Sequence, residues 1–182
     1  DIVPIRMFRN DGGKRFQDVT TAGGFGHIQK GHGIAFGDLD HDGDQDVYTS
    51  LGGAYEGDAY FNALFENPGN QSSWIKIALE GTKSNRAAIG ARLKVTVRFE
   101  GRTQVIHRVV NSGGSFGSSP LRQEMGLGPD ADQVGLEIRW PGSNTIQRFD
   151  GLEPRHLYSI REDSSEALKK TLTPFKFKKD GS

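Results

Sequence analysis

Between Arg92 and Phe99 the chain reads RLKVTVRF, with Leu93, Val95, Val97 and Phe99 at every second position. Successive side chains of a strand point to opposite faces, so this alternation predicts a strand with one buried side. Similar short runs, rich in β-branched and aromatic residues, recur along the chain between clusters of glycine. They predict strands over residues 5–9, 15–19, 33–36 and 46–51. After a turn at 67–70 a second series follows, over 73–79, 91–99, 103–110, 135–140, 145–149 and 157–161. Helical spacing is confined to 164–170, which reads as one short helix. The end, TLTPFKFKKDGS, alternates phenylalanine and lysine after Pro174 and reads as an edge strand or a loose tail. The expected fold class is all-β.

An internal echo divides this series. MFRNDGG, starting at Met7, returns as LFENPGN, starting at Leu64, with Phe8 matching Phe65, Asn10 matching Asn67 and Gly12 matching Gly69. A period of that length holding four short strands fits one blade of a β-propeller, with residues 59–65 as an echo strand able to pair at one edge. The pattern changes after one period. Residues 1–70 are therefore expected to form a blade-like unit, 71–162 a separate β domain, and 163–182 a short helix and basic tail. A lone blade leaves apolar surface uncovered, and Phe8, Phe16, Ile34, Phe36, Val47 and Tyr48 are the side chains at stake.

Charge changes the picture at one place. The stretch GDLDHDGDQD sets Asp38, Asp40, Asp42, Asp44 and Asp46 at alternate positions. Carboxylates so close repel unless something neutralises them. Calcium takes six to eight oxygen ligands, and alternate residues of a tightly curled loop can turn oxygens inward, with Gly43 permitting the sharp bend. This geometry assigns side-chain oxygens to Asp38, Asp40 and Asp42, a backbone carbonyl to Asp44, and closure of the site to Asp46. His41 and Gln45 fall between ligand positions and should face outward. A helix–loop–helix site would need glutamate at position 12, where Thr49 stands, and helices on both sides, so the loop joins two strands instead. Magnesium keeps its waters and suits such a cage less well. An acidic solvated turn is the plain alternative.

HGIAFGDLDHDGDQDVY, with MFRNDGGKRFQDVTTAGGF before it, resembles the FG-GAP (VCBS) repeat of integrin-type propellers, in which an aspartate loop between blade strands binds calcium. That resemblance implies Asp38, Asp40, Asp42 and Asp46 as side-chain ligands and Asp44 as the backbone one. Downstream, GTKSNRAAIGARLKV, NSGGSFGSSPLRQEMGLG and LEIRWPGSNTIQRFDGL together resemble the ASPIC/UnbV domain of cartilage acidic protein-like and bacterial FG-GAP proteins. The order of motifs matches, while QEM before GLG and the SFGSS step depart from the pattern. The resemblance implies a β-sandwich-like second domain and a secreted setting, extracellular, at the cell surface or periplasmic, and no particular reaction.

The remaining chemistry is sparse. Twenty-three basic and 23 acidic residues cancel, so overall charge favours neither nucleic acid nor a membrane surface. No apolar run is long enough to span a bilayer. The absence of cysteine excludes disulfides, zinc–thiolate sites and cysteine nucleophiles. The chain opens at Asp1 without a signal-like stretch, which reads as a mature product or an excised fragment. GGSFG around Ser115 matches the G-x-S-x-G of serine hydrolases, but that elbow needs a strand before it and a helix after it, so a glycine-rich turn is the better reading. His107 reads as a surface or half-buried strand residue, and Trp74 and Trp140 as core or rim packing. Asn70 opens a glycosylation sequon. Lysines 169, 170, 176, 178 and 179 read as a solvated tail rather than a contact for an acidic partner. The leading expectation is a non-enzymatic calcium-binding module for recognition or assembly, whose partner is a protein or neighbouring propeller blades. A structural subunit with calcium as its only ligand is the alternative, followed by a hydrolase or carbohydrate-active protein. A carbohydrate ligand finds no support in the sequence.

Overall fold

A computed structural model describes residues 5–28, 30–53, 55–69, 72–99, 101–114, 117–129 and 131–177. Among these residues every regular element is a strand, as the alternation predicts. The first part holds β1 (Phe8–Asp11), β2 (Arg15–Asp18), β3 (Gly31–Gly37), β4 (Asp46–Leu51) and β5 (Ala63–Phe65). The second holds β6 (Ser73–Glu80), β7 (Arg92–Phe99), β8 (Arg102–Val109), β9 (Gln123–Gly128), β10 (Gln133–Arg139), β11 (Ile146–Leu152), β12 (His156–Arg161) and β13 (Ala167–Lys170).

The second part is a sandwich of two four-stranded sheets, ordered β11-β10-β7-β8 and β13-β12-β6-β9. Its pairings are antiparallel except β12 with β6, which run parallel. Each sheet turns its alternating apolar positions inward: Leu93, Val95 and Val97 from β7 and Val134, Leu136 and Ile138 from β10 meet Ile75, Ile77, Met125, Leu127 and Ile160 in one buried cluster. Trp140 is fully buried there, its indole N–H donating to Gln147 Oε1 at 2.6 Å. Two outcomes differ from the sequence reading. The segment 164–170, expected as a helix, ends in β13, which pairs with β12 from Leu157↔Lys170 to Ile160↔Ala167; edge pairing outweighs a short and marginal helix. Strand β9 went unrecognised because glycine occupies Gly126 and Gly128 beside Met125 and Leu127, thinning the alternation.

The first part is not one four-stranded sheet. β1 and β2 form a separate hairpin, while β3, β4 and β5 form a three-stranded sheet with β4 in the centre. The echo strand pairs where expected, with Val47↔Phe65, Tyr48↔Leu64 and Thr49↔Ala63. Val47 and Leu51 are buried and Phe36 is half-buried, but Phe8, Phe16, Ile34 and Tyr48 stay exposed, as do Tyr55 and Phe61. The blade-like unit thus has little apolar core of its own.

One carboxylate braces the far end of the sandwich. Glu162, 2% exposed, accepts the backbone N–H groups of Thr82, Lys83 and Ser84 at 2.7–2.9 Å and the hydroxyls of Ser84 and Ser143. Burial alone would raise its pKa, but the Ser143 hydroxyl and then the Ser84 and Thr82 N–H groups hold it down at about 2. Glu162→Leu strands the buried Ser84 N–H and hydroxyl and the part-buried N–H groups of Thr82 and Lys83, and should lower unfolding stability at pH 7 by about 2 kcal/mol or more. Because the folded value lies below the ordinary 4.5, the brace works fully above pH 4.5 and is lost as pH falls towards 2. Urea melts of both proteins at pH 7 and pH 3 should therefore show the gap narrowing in acid.

Candidate acidic loop at the joint of the two units

The β3–β4 connection carries the five aspartates, and it curls as the spacing requires. Gly43 sits at φ 104°, and His41 takes a left-handed φ of 65°, a region histidine tolerates better than most residues. Asx turns tighten the coil: Asp40 Oδ1 accepts Asp42 N–H at 3.3 Å, and Asp42 Oδ1 accepts Asp44 N–H at 3.1 Å. Asp38, Asp40 and Asp42 bring one carboxylate oxygen each to within 4.8 Å of one another, close enough to share a metal ion. Asp38 and Asp40 are buried and Asp42 is exposed.

The other two aspartates behave differently. Asp46 is buried, and its oxygens take Leu39 N–H at 3.0 Å and Asn67 N–H at 2.9 Å, so its carboxylate ties the loop to the chain after β5. Asp44 keeps a buried Oδ1 without a partner among the described residues. Its carboxyl is pushed up to about 6, first by burial and then by the carboxylates of Asp42, Asp46 and Asp40. Asp40 is raised as well, burial again leading and Asp42 and Asp46 adding repulsion. The loop is electrostatically overloaded with negative charge.

Counter-charge reaches it from the sandwich. Lys76 of β6 places its ammonium on Asp38 Oδ2, with both side chains 1% exposed. Burial lowers the Lys76 pKa to about 8 against the opposing pull of Glu124, leaving it cationic at neutral pH. Asp38 Oδ2 also accepts Gly43 N–H at 2.9 Å, whereas Asp38 Oδ1 is buried without a partner among the described residues. Glu124 of β9 accepts Asp38 N–H at 2.9 Å and the Gln45 amide at 3.3 Å, and its other oxygen holds Arg122. A Cβ on Gly43 would lie 1.7 Å from the Trp74 indole nitrogen, so loop and sandwich are in contact with no room for a side chain.

The sequence located the loop and not the joint. Nothing in the pattern of Ser73–Glu80 distinguishes Lys76 from an outward-facing strand lysine: between Ile75 and Ile77 it points to the outer face of β6, and it is buried there by the loop. Gln45 is exposed as expected, but His41 is half-buried, its ring edge-on to Phe175 at 5.7 Å. Phe175 N–H donates to the Asp40 carbonyl at 2.9 Å, so residues 171–177 form neither edge strand nor loose tail and return to the loop. Lys169 pairs with Glu153, and His107 lies exposed on β8. Trp74 is half-buried at the rim. Ser115, Asn70, Lys178 and Lys179 lie outside the described residues. The flanking Gly114 and Gly117 form an isolated bridge and line a cleft of about 880 Å³. His32 and Asn111 line that cleft, and its described lining contains no carboxylate.

An acidic loop wedged between a blade-like sheet and a β-sandwich defines a two-unit β protein organised around a candidate cation site. Family comparison gives each unit its kind: residues 3–49 match the FG-GAP-like repeat, and residues 81–167 match the ASPIC and UnbV domain. The two matches lie in the order that the motifs imply. No curated protein sequence matches it. Among the described residues no helix is long and apolar enough to cross a membrane.

Gly43→Ala tests the contact. It adds a Cβ onto Trp74 and a side chain at positive φ, and should lower stability by at least about 2 kcal/mol, with a change in tryptophan emission as Trp74 is displaced. Gly53→Ala, at φ 80° with open space around it, should cost only backbone strain of about 1–2 kcal/mol and leave the emission unchanged.

Proposed function

We propose that this chain is a calcium-stabilised, non-enzymatic module for recognition or assembly, acting outside the cell or in the periplasm. The observation that carries the ion is the pair of buried, partnerless oxygens, Asp38 Oδ1 and Asp44 Oδ1, in a loop whose Asp38, Asp40 and Asp42 already converge. Buried polar atoms almost always have partners, so these two fit an ion that takes oxygen. Asp38, Asp40 and Asp42 would hold it, with Asp44 and Asp46 beside them, Asp46 also bracing the loop through the Leu39 and Asn67 N–H groups. Hard carboxylate oxygens with no nitrogen or sulfur donor favour calcium over transition metals. Bound calcium supplies the positive charge that the crowded carboxylates lack. The FG-GAP-like repeat and the ASPIC/UnbV domain support a propeller-type recognition module. A secreted setting is consistent with calcium sites of this weak class, with Kd on the order of 0.1–1 mM.

The exposed apolar residues of the first unit favour assembly as the mode of action. Phe61 is 98% exposed and Phe16 71%. The echo adds direction. Asn67, following β5, gives its N–H to Asp46 of the loop, and Asn10 is its counterpart in β1. By the same offset residues 6–8, at the start of β1, are the counterpart of β5, and we assign that edge to β4 of a further FG-GAP-like repeat, as β5 pairs here. The non-enzymatic reading rests on the general character of the FG-GAP-like and ASPIC/UnbV families.

Calorimetric titration of the full chain with calcium should give one site per chain. At a hundredfold excess over Kd the ion should add about 2.7 kcal/mol to stability, read as a rise in Tm over chelator. Asp42→Asn should abolish most of that rise while leaving the Tm in chelator near the wild-type value, because Asp42 is exposed and carries no tertiary bond that needs its charge. A Tm indifferent to millimolar calcium would refute the reading.

A further inference from the structure

A buried ammonium is chemically out of place beside a cation site, since the two charges repel. Lys76 holds that place. Its Nζ rests on Asp38 Oδ2, both side chains are 1% exposed, and the ammonium stands 4.9 Å from the centroid of the Trp74 ring. Leu79, Ile75 and Ile77 of the same strand pack in or against the apolar core, so β6 is fixed and the lysine has a rigid base. Asp38 thus offers one oxygen to an ammonium and keeps the other buried with no partner among the described residues. The same residue also draws Glu124 to its backbone N–H, so the sandwich both positions Asp38 and neutralises it.

We propose that Lys76 is an internal counter-cation of the acidic loop: it competes with the bound ion for the charge of Asp38 and thereby sets the calcium affinity. The inference rests on the calcium reading of the loop. Without the ion, Lys76 supplies the positive charge that keeps a buried carboxylate, and with it the loop–sandwich joint, in place. With the ion, ammonium and metal share one carboxylate in a site shielded from water, where repulsion between them is weakly screened. Removing the lysine charge destabilises the ion-free protein more than the loaded one, and by linkage a change of that kind tightens binding. Lys76 is therefore an affinity-setting residue that touches the ligand side chain from the other unit. Ion binding is in this way coupled to the docking of the two units.

The test compares wild type, Lys76→Met and Lys76→Gln, each as the full chain, by calcium calorimetry and by melting in chelator and in 10 mM calcium. Lys76→Gln keeps a hydrogen-bond donor for Asp38 and removes only the charge. Both variants should melt below wild type in chelator, bind calcium at least tenfold more tightly, and recover most of the lost Tm when loaded. A variant unfolded in chelator but folded in calcium, or one that binds where wild type does not, supports the proposal in its strongest form. Variants that bind with equal or weaker affinity than a calcium-binding wild type overturn it and leave the calcium reading standing. Variants that stay unfolded in calcium overturn it too, because the ion should have replaced the missing charge. No binding by any of the three proteins overturns both readings together.

Discussion

An ammonium and a carboxylate removed from water together determine how the two units of this chain meet. Withdrawing both charges costs several kcal/mol each, and their attraction offsets that only when the remaining hydrogen-bonding groups are also satisfied. Lys76 meets the condition with the Trp74 ring nearby, and Asp38 Oδ2 meets it with Gly43 N–H. Asp38 Oδ1 does not, and that one unsatisfied atom is the point at which the joint calls for something further. Gly43 must be glycine because the loop cannot reach Lys76 without pressing on Trp74, and Glu124 must be held by Arg122 because it faces a loop of its own sign.

The two units have different physical foundations. The sandwich rests on apolar burial, with eighteen buried hydrophobic residues in one cluster contributed by both of its sheets. Among the described residues none of them comes from the first unit, whose buried hydrophobics there are Val47 and Leu51. Apolar burial of that extent does not stabilise a small sheet by itself, so its order depends on polar ties: Asp46 to Asn67, Asp38 to Lys76, and Phe175 N–H to Asp40. A unit held by charges is sensitive to whatever changes them. That makes the acidic loop a control point for the whole first unit.

Strand-period alternation made most of the fold legible, since Leu93, Val95 and Val97, or Ile75 and Ile77, announce a buried face without knowledge of the partner sheet. What stayed hidden depends on partners distant in sequence. β13 is a strand only because β12 offers it an edge, and β9 carries too few side chains to signal its period. At the loop, spacing and Gly43 marked the curl and the converging Asp38, Asp40 and Asp42, because those are local properties. The role of Asp46 was not local. Its carboxylate is taken by N–H groups from Leu39 and from Asn67, and local spacing alone does not show that a residue beyond the next strand will return there.

That return gives the echo its physical meaning. In both copies an asparagine oxygen closes a turn, but on different N–H groups: Asn10 on Gly13, three residues on, at 2.8 Å, and Asn67 on Gly69, two residues on, at 3.2 Å, so the repeated letters encode related rather than identical turns. In the second copy this turn also presents Asn67 N–H to Asp46. The loop is consequently bound on three sides, by its own Asx turns, by the first strand and turn of the following copy, and by β6 and β9 of the sandwich. Each contact uses a backbone group or one carboxylate oxygen. Together they position Asp38 Oδ1 and Asp44 Oδ1, neither of which has a partner among the described residues, so the contacts that order the loop are also the ones the proposed cation site would depend on.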